Sequence, residues 1–260
     1  MPELPEAETV VRSLRPRILG REITGSQLFT KRVAPLGMAP LAGRFVTGLH
    51  RYGKKVAWEL DRGCLLFELR MTGLLRWRRE TGPHTRARFT FPHGVVCFDD
   101  IRQFGSVRWF PAPPDDLGPD PLDISLDEFQ QRLAARHGMI KPLLLNQRFL
   151  RGLGNIYADE ILFAAGVHPQ AQANELSSQR SERLHSAMRD VLERAIAAGG
   201  SSISDYVDAN GRPGRFQFEH QAYGRHGQPC SRCGTAMRRI VVAQRGTCHC
   251  PRCQRRSPET

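Results

Sequence analysis

Four cysteines near the end of the chain have the spacing of a metal site. Cys230 and Cys233 form one C-x-x-C pair, and Cys250 and Cys253 form a second pair after sixteen intervening residues. Two close pairs of thiolates at this spacing suit tetrahedral zinc, with each pair on one knuckle of a β-hairpin. Because the protein would supply all four ligands, we expect one structural zinc ion per chain and no open position for catalysis.

The segment that carries these cysteines is strongly basic. Residues 230–256 contain seven arginines and no acidic residue. The hairpin predicted over Met237–His249 has Gln244-Arg245-Gly246 at its turn. A solvated charged face is the usual meaning of such a cluster, but an arginine on a stapled hairpin favours contact with a phosphate or groove of nucleic acid.

A glycine-rich segment, Arg151-Gly152-Leu153-Gly154-Asn155, precedes an apolar helical run over Ile156–Ala165. Glycines before a helix let backbone N–H groups converge, and the helix N-terminus adds positive potential, so a phosphate can bind there. With the helical stretch Ile140–Gln147 before it, the pattern predicts helix, two turns, helix. A simple tight turn is the alternative interpretation.

The first six residues, Met-Pro-Glu-Leu-Pro-Glu, offer a nucleophile beside two acids. Removal of Met1, which is usual before proline, would leave Pro2 as a secondary amine next to Glu3 and Glu6. An α-amine has a pKa of about 8 and a lysine a pKa of about 10.4, so far more of the terminal amine is unprotonated at neutral pH. Attack on a sugar C1′ would give an iminium that promotes elimination, with carboxylates to move protons. Alternatively, the acids only complement a helix dipole.

Composition restricts the class of protein. The net charge is +12 and the sequence pI is about 10.0, which favours a polyanionic partner such as nucleic acid. There is no apolar run long enough for a membrane span and no signal-peptide pattern, so we expect an intracellular protein. Seven cysteines argue against a disulfide framework in that compartment.

The elements that must hold these residues change character along the chain. One short helix at residues 5–14, ended or kinked by Pro16, precedes a series of short strands typical of a β-sandwich. After a proline-rich stretch the pattern is helical, with a capping box at Ser125–Glu128 and a long amphipathic helix stopped by Gly199-Gly200. We therefore predict an α+β multidomain protein: an N-terminal β-sandwich with a leading helix, and a C-terminal helical domain with a helix-two-turn-helix and a zinc-binding β-hairpin.

The predicted boundaries are 1–110 for the catalytic β-sandwich domain, 111–123 for a linker, 124–225 for the helical domain and 226–260 for the zinc finger. The prolines of the linker lack the N–H that strand pairing and helices require, so we expect neither a strand nor a helix there.

Three independent motifs together resemble the formamidopyrimidine-DNA glycosylase and endonuclease VIII family: Pro2–Glu6, Arg151–Glu160 and the paired cysteines. The similarity runs from Pro2 to Cys253. It implies that Pro2 is a Schiff-base nucleophile, Glu3 the general acid/base and Glu6 the group that positions and polarises the sugar. Lys54 would assist elimination and hold a phosphate.

The same resemblance implies DNA contacts. Arg245 and Asn155 would clamp phosphates around the lesion, and His84, Arg136 and Lys141 match further DNA-contacting positions. Extrusion of a base leaves a hole that the family fills with three side chains, which Met71, Arg102 and Phe104 match. Met71 and Phe104 could instead be core residues. The chain has Ile101 and Gln103 where the family usually has a proline and a basic residue.

Met71-Thr72-Gly73 and the stretch from Gly199 to Arg225 resemble the formamidopyrimidine branch, which removes oxidised purines such as 8-oxoguanine and then performs β- and δ-elimination. Within that stretch, residues 204–217 resemble a loop that closes over the flipped base. An endonuclease VIII-like enzyme for oxidised pyrimidines and a catalytically silent DNA-damage binding protein are the alternatives. The expected partner is double-stranded DNA with a damaged base or abasic site, bound by a cytoplasmic, nucleoid-associated monomer of bacterial type.

Overall fold

The computed structural model of the protein describes residues 1–34, 40–112, 114 and 116–256. Its contacts divide the chain into two compact units, Met1–Asp115 with Ile196–Gln217, and Asp116–Ala195 with Phe218–Thr260. Within the predicted linker, Pro113 and Asp115 lie outside the described residues. Among the helices that are described, none combines the length and the apolar character that crossing a membrane requires.

The first unit begins with helix α1, Leu4–Ile18. Pro5 stands in its first turn, where a missing N–H costs no helical hydrogen bond, and Val10, Val11 and Leu14 form its buried face. The prediction that Pro16 ends or kinks the helix was wrong about an end, since the helix continues to Ile18. Pro16 lies in the last turn, so only one backbone hydrogen bond is lost there.

In the described part of the first unit, nine strands follow α1 and form two sheets. Their bounds are β1 Glu22–Ile23, β2 Gly25–Leu28, β3 Arg44–Tyr52, β4 Lys55–Leu60, β5 Cys64–Glu68, β6 Gly73–Arg78, β7 Thr85–Phe91, β8 Gly94–Asp100 and β9 Ser106–Phe110. The sheet orders are β1-β3-β4-β5-β9 and β2-β7-β8-β6, and every pairing is antiparallel. The predicted β-sandwich with a leading helix is therefore confirmed.

Aromatic side chains from both sheets fill the space between them. The rings of Trp58 and Phe89 lie 5.1 Å apart edge to face, and those of Phe67 and Phe89 lie 5.4 Å apart. All three side chains are fully buried. The alternating burial along β7 shows why the sequence pattern indicated strands with one face inward.

Residues 196–217 pack with the β-sandwich, although the sequence assigned them to the helical domain. The Ala209 carbonyl accepts a hydrogen bond from the Trp77 N–H at 2.8 Å, and the Ala209 N–H donates to Ser13 Oγ at 3.1 Å. Tyr206 and Ala209 are part of the buried core of the sandwich. The chain thus returns to the first unit after its long helix, which local periodicity does not reveal.

The second unit contains helices α2 Leu126–Ala134, α3 Ile140–Leu145, α4 Asn155–Ala165 and most of α5 Ser178–Ala197. The Ser125 hydroxyl accepts from the Glu128 N–H at 3.2 Å, as the capping box predicted. Gly166, at φ +67°, ends α4 in the left-handed conformation. Three short 3-10 turns, Lys31–Val33, Ala173–Glu175 and Phe216–Glu219, occur elsewhere in the chain.

The second unit also contains the predicted hairpin, formed by β10 Arg238–Val242 and β11 Arg245–His249. Val242 pairs with Arg245, so the turn consists of Ala243 and Gln244, both at positive φ. Arg245 is therefore the first residue of β11 and does not lie in the turn itself as predicted. Two-residue turns with both central residues left-handed match strand twist, and here they form without glycine or asparagine.

Candidate active site and nucleic-acid interface

Pro2 precedes a helix whose first turn contains two buried acids. Met1 is 45% exposed, whereas Pro2 is buried, Glu3 is 2% exposed and Glu6 is 1% exposed. Carboxylates are rarely buried to this degree unless hydrogen bonds compensate the loss of water. The structure therefore brings the three predicted residues of the N-terminal site together.

Backbone groups hold the Glu6 carboxylate on both oxygens. Oε2 accepts from the Glu3 N–H at 2.7 Å, and Oε1 accepts from the Ser201 N–H at 2.7 Å. The first bond fixes the start of α1, and the second fixes a segment 195 residues away in the sequence. Hydrogen bonds to an ionised acceptor are roughly twice as strong as neutral ones, so this carboxylate is a firm link between the two segments.

Gly200 makes that link possible. It has φ +82°, and a Cβ atom there would lie 2.7 Å from Glu6 Oε1 and 2.9 Å from Glu6 Cγ. Any other residue would displace the carboxylate from the Ser201 N–H. The Gly199-Gly200 pair, which the sequence identified only as a helix stop, thus also shapes the site.

Tyr206 supports α1 from the same returning segment. Its hydroxyl donates to the Glu6 carbonyl at 3.1 Å. Burial, together with the Glu6 carboxylate, raises the pKa of Tyr206, so the phenol stays a neutral donor at physiological pH.

Two further predicted residues of the first unit lie in turns. Lys54 is half-buried and forms, with Gly53, the two-residue turn between β3 and β4, so it is not a strand residue. His84 is exposed just before β7, and its carbonyl accepts from the Asp100 N–H at 3.0 Å.

Met71, Arg102 and Phe104 lie on neighbouring loops at the ends of paired strands. Met71 precedes β6 and is 43% exposed, and Phe104 lies between β8 and β9 and is 50% exposed. The Arg102 guanidinium lies 4.6 Å from the centre of the Phe104 ring. This exposure rules out the alternative that Met71 and Phe104 are core residues.

In the second unit the four predicted cysteines converge. Their ligand atoms all lie within 4.8 Å of one another, with Cys230 Sγ 3.9 Å from Cys253 Sγ and Cys233 Sγ 3.5 Å from Cys250 Sγ. Thiolates about 2.3 Å from a tetrahedral zinc ion have separations of this size. The donor set fits one structural zinc ion, which Cys230, Cys233, Cys250 and Cys253 hold.

Lys141 is fully buried and does not present its charge to solvent. Its Nζ donates to Asp159 Oδ1 at 2.6 Å and to Thr247 Oγ1 at 2.7 Å, and Asp159 Oδ2 accepts from the Cys248 N–H at 3.0 Å. Burial raises the pKa of the Asp159 carboxyl to about 6, and Lys141 opposes that rise. Lys141, implied by resemblance to contact DNA, here ties α3 and α4 to β11.

The residues predicted to clamp phosphates meet at the start of β11. Asn155 Nδ2 donates to the Gly246 carbonyl at 3.0 Å, and the Arg245 carbonyl accepts from the Thr247 hydroxyl at 3.0 Å. The Arg245 side chain is exposed. α4 begins at Asn155, and its N-cap residue, Gly154, has no side chain that could cap it. The Asn155 bond to Gly246 places this helix N-terminus, with its positive potential, next to the residue that follows Arg245.

Arg136 lies two residues beyond the end of α2 and is exposed.

Sequence reasoning missed the two acids of α4. Glu160 is 3% exposed and accepts from the N–H groups of Gln221, Ala222 and Tyr223 at 2.8–2.9 Å. It holds the chain entering the zinc-binding segment, as Asp159 holds the hairpin. Two adjacent acids inside the apolar run of residues 156–165 were the available signal, since buried carboxylates require partners.

Three family models match the chain. These are the formamidopyrimidine-DNA glycosylase N-terminal domain over residues 1–107, the formamidopyrimidine-DNA glycosylase H2TH domain over 117–207, and the zinc finger found in FPG and IleRS over 227–256.

Individual proteins match over nearly the full length. The formamidopyrimidine-DNA glycosylase of Solibacter usitatus is 48% identical, covering 98% of this chain and all of the relative. The solved complex of Lactococcus lactis Fpg with abasic-site DNA is 36% identical, with a TM-score of 0.89, and covers 98% of this chain and all of that one. A complex of the same wild-type protein with N7-benzyl-Fapy-dG DNA is 34% identical, with a TM-score of 0.88 and the same coverage.

The β-sandwich with buried acids at the start of its leading helix, the helical unit and the zinc-binding hairpin define a DNA-repair glycosylase. The family models and the full-length relative make the assignment more specific. The chain belongs to the formamidopyrimidine-DNA glycosylase family.

The buried pair of Lys141 and Asp159 yields a test of how the hairpin is held. Asp159→Asn leaves a buried ammonium without its counter-charge and should lower the free energy of unfolding by about 3–5 kcal/mol. Lys141→Met combined with Asp159→Asn removes both charges and keeps an acceptor for the Cys248 N–H, so it should recover most of that loss. Urea unfolding with zinc present measures both. Equal losses of unfolding free energy in the single and double variants would show that the unpaired Lys141 charge is not what destabilises the single variant.

Proposed function

We propose that the protein removes oxidised purines from double-stranded DNA and then cleaves the strand, with Pro2 as nucleophile. The observation that carries this proposal is the N-terminal site, in which Pro2 is followed by the buried carboxylates of Glu3 and Glu6. Glu6 is fixed from two directions, so the site is rigid before any substrate binds.

Loss of the exposed Met1 would give Pro2 a secondary amine. The nitrogen attacks C1′ of the damaged nucleoside, the bond from C1′ to the base breaks, and the base leaves with its electron pair and a proton. The nitrogen lone pair then expels O4′, which takes a proton as the C1′–O4′ bond breaks, and the opened sugar is left as an iminium. This iminium has no N–H proton to lose, so it stays cationic and acidifies C2′. Loss of a C2′ proton then expels the 3′ phosphate, and a second elimination expels the 5′ phosphate.

Glu3 and Glu6 have different roles in these steps. Glu3, at the nucleophile, is placed to exchange protons with the deoxyribose as general acid and base. Glu6 is bound through both oxygens to backbone N–H groups, so its role is to position the sugar and stabilise positive charge on the iminium. Lys54 would assist the eliminations and hold a phosphate.

Phosphate contacts would orient the duplex on the protein. The exposed Arg245, the α4 N-terminus at Asn155, and the exposed His84 and Arg136 offer cationic or donor groups, consistent with the +12 net charge. Met71, Arg102 and Phe104 would fill the space that the flipped base leaves. We propose that the protein acts as a monomer, on the nucleoid, in the cytoplasm.

Single-turnover reactions with a panel of duplexes test the proposal. Each duplex carries one lesion: 8-oxoguanine opposite cytosine, a formamidopyrimidine, thymine glycol or an abasic site. We expect cleavage at the purine lesions and the abasic site, with the oxidised pyrimidine at least about tenfold slower, a difference of about 1.4 kcal/mol in transition-state binding.

The other outcomes separate the alternatives. Faster reaction at thymine glycol would identify an endonuclease VIII-like enzyme. Tight binding to all four duplexes without cleavage, even at the abasic site, would identify a silent damage-binding protein.

Neighbouring glycines test the Glu6 link. Gly200→Ala places a Cβ against Glu6 Oε1, whereas Gly199→Ala, at φ +77°, meets only the Gly214 Cα at 3.6 Å. Both variants should lose about 1–2 kcal/mol of stability from the left-handed backbone. Only Gly200→Ala should slow abasic-site cleavage, by up to about 100-fold, because it misplaces the sugar-binding carboxylate. Similar rates for the two variants would refute a positioning role for Glu6.

A further inference from the structure

One buried carboxylate lies beneath the loops that carry Met71, Arg102 and Phe104. Asp100 is the last residue of β8, pairs with Gly73 of β6 and is fully buried. Its backbone is held as well, since its N–H donates to the His84 carbonyl at 3.0 Å and its carbonyl accepts from Arg86 Nε at 2.8 Å. The residue is a fixed point in the sheet.

The side chain of Asp100 joins the two loops. Oδ1 accepts from the Thr72 hydroxyl at 2.5 Å, and the same hydroxyl accepts from the Arg102 N–H at 3.2 Å. Oδ2 accepts from the Gly105 N–H at 2.7 Å. The Asp100 carboxylate thus binds Gly105, which follows Phe104, and Thr72, which follows Met71. Through the Thr72 hydroxyl it also holds the backbone of Arg102.

Two glycines allow this close approach. A Cβ at Gly105 would lie 2.7 Å from the Glu68 carbonyl oxygen and 3.0 Å from Asp100 Oδ2. A Cβ at Gly73 would overlap the Leu69 carbonyl oxygen, which accepts from the Gly73 N–H at 2.9 Å and closes the turn around Met71.

The loop between β8 and β9 needs such support because its residue types do not favour its backbone conformation. Gln103 has φ +54°, a conformation unfavourable for residues other than glycine, and Ile101 leaves φ less restricted than a proline would. The loop therefore depends on its hydrogen bonds for a defined shape.

We propose that Asp100 and Thr72 form a brace that positions Met71, Arg102 and Phe104 as one unit, so that the three side chains enter the DNA stack together. The brace acts through these residues and not on the reacting atoms. The brace rests on the proposed function, since Met71, Arg102 and Phe104 must first be the residues that fill the space left by the flipped base.

Thr72→Val tests the brace because it keeps the shape of the side chain and removes both of its hydrogen bonds. Thr72→Ser restores the hydroxyl and serves as the rescue. Thr85→Val is the matched control, because the Thr85 hydroxyl likewise donates to a buried aspartate, Asp99, at 2.7 Å and accepts a backbone N–H, that of Gly82.

The main readout is the fluorescence of 2-aminopurine placed beside the lesion in a duplex, which rises when the stack is opened. We expect Thr72→Val to slow this rise about tenfold, as loss of a hydrogen bond to a buried carboxylate would. Arg102 can donate to O2 and N3 of a cytosine left opposite the lesion but meets the N6 donor of an adenine, so excision of 8-oxoguanine should be faster opposite cytosine. In Thr72→Val the ratio of the two rates should fall toward one. Thr72→Ser and Thr85→Val should behave as wild type in both measurements.

Cleavage of a single-stranded abasic site, which has no stack to open, separates this role from a general loss of folding. It should change by no more than about twofold in every variant. Wild-type kinetics of 2-aminopurine in an active Thr72→Val variant would overturn the brace and leave the proposed function intact. Absence of cleavage by the wild-type protein would instead overturn the proposed function.

Discussion

The Glu6 carboxylate is the constraint on which the N-terminal site depends. It accepts one backbone hydrogen bond from Glu3, at the start of α1, and one from Ser201, in the segment that returns to the sandwich after α5. These two bonds compensate the desolvation of a carboxylate that is only 1% exposed. Because Gly200 leaves no space for a side chain, the carboxylate and the returning segment have one mutual arrangement. Pro2 is thereby attached to a helix start whose position is fixed.

Three other buried carboxylates of the described residues hold neighbouring segments in the same way. Asp100 holds the two loops at the ends of β6 and β8, Asp159 holds β11, and Glu160 holds residues 221–223, each by accepting backbone N–H groups. Several acids are thus used internally, while Arg245 and many other arginines remain at the surface. The division explains how a chain with a net charge of +12 builds ordered loops and keeps its cationic groups for a polyanion.

Features with a local signal could be predicted from the sequence. Paired cysteines, the Ser125 cap and alternating strands depend on neighbours within a few residues, and the structure confirms them. Ser201, the second partner of Glu6, and Ala222, a partner of Glu160, lie 195 and 62 residues away, so no local pattern identifies them. The resemblance implied that Lys141 contacts DNA, but its side chain is fully buried in the structure. The predicted hairpin turn, residues 244–246, begins one residue too late. The actual turn residues, Ala243 and Gln244, are not of the types that usually indicate a turn.

Mapping the covalent attachment site tests the account most directly. The mature protein reacts with abasic-site duplex in the presence of borohydride, and the adduct is digested and sequenced by mass spectrometry. The account predicts one adduct, on the nitrogen of Pro2, and none from matched protein that retains Met1. An adduct on Lys54, or an unchanged yield from the protein with Met1 in place, would contradict the role of Pro2 as nucleophile.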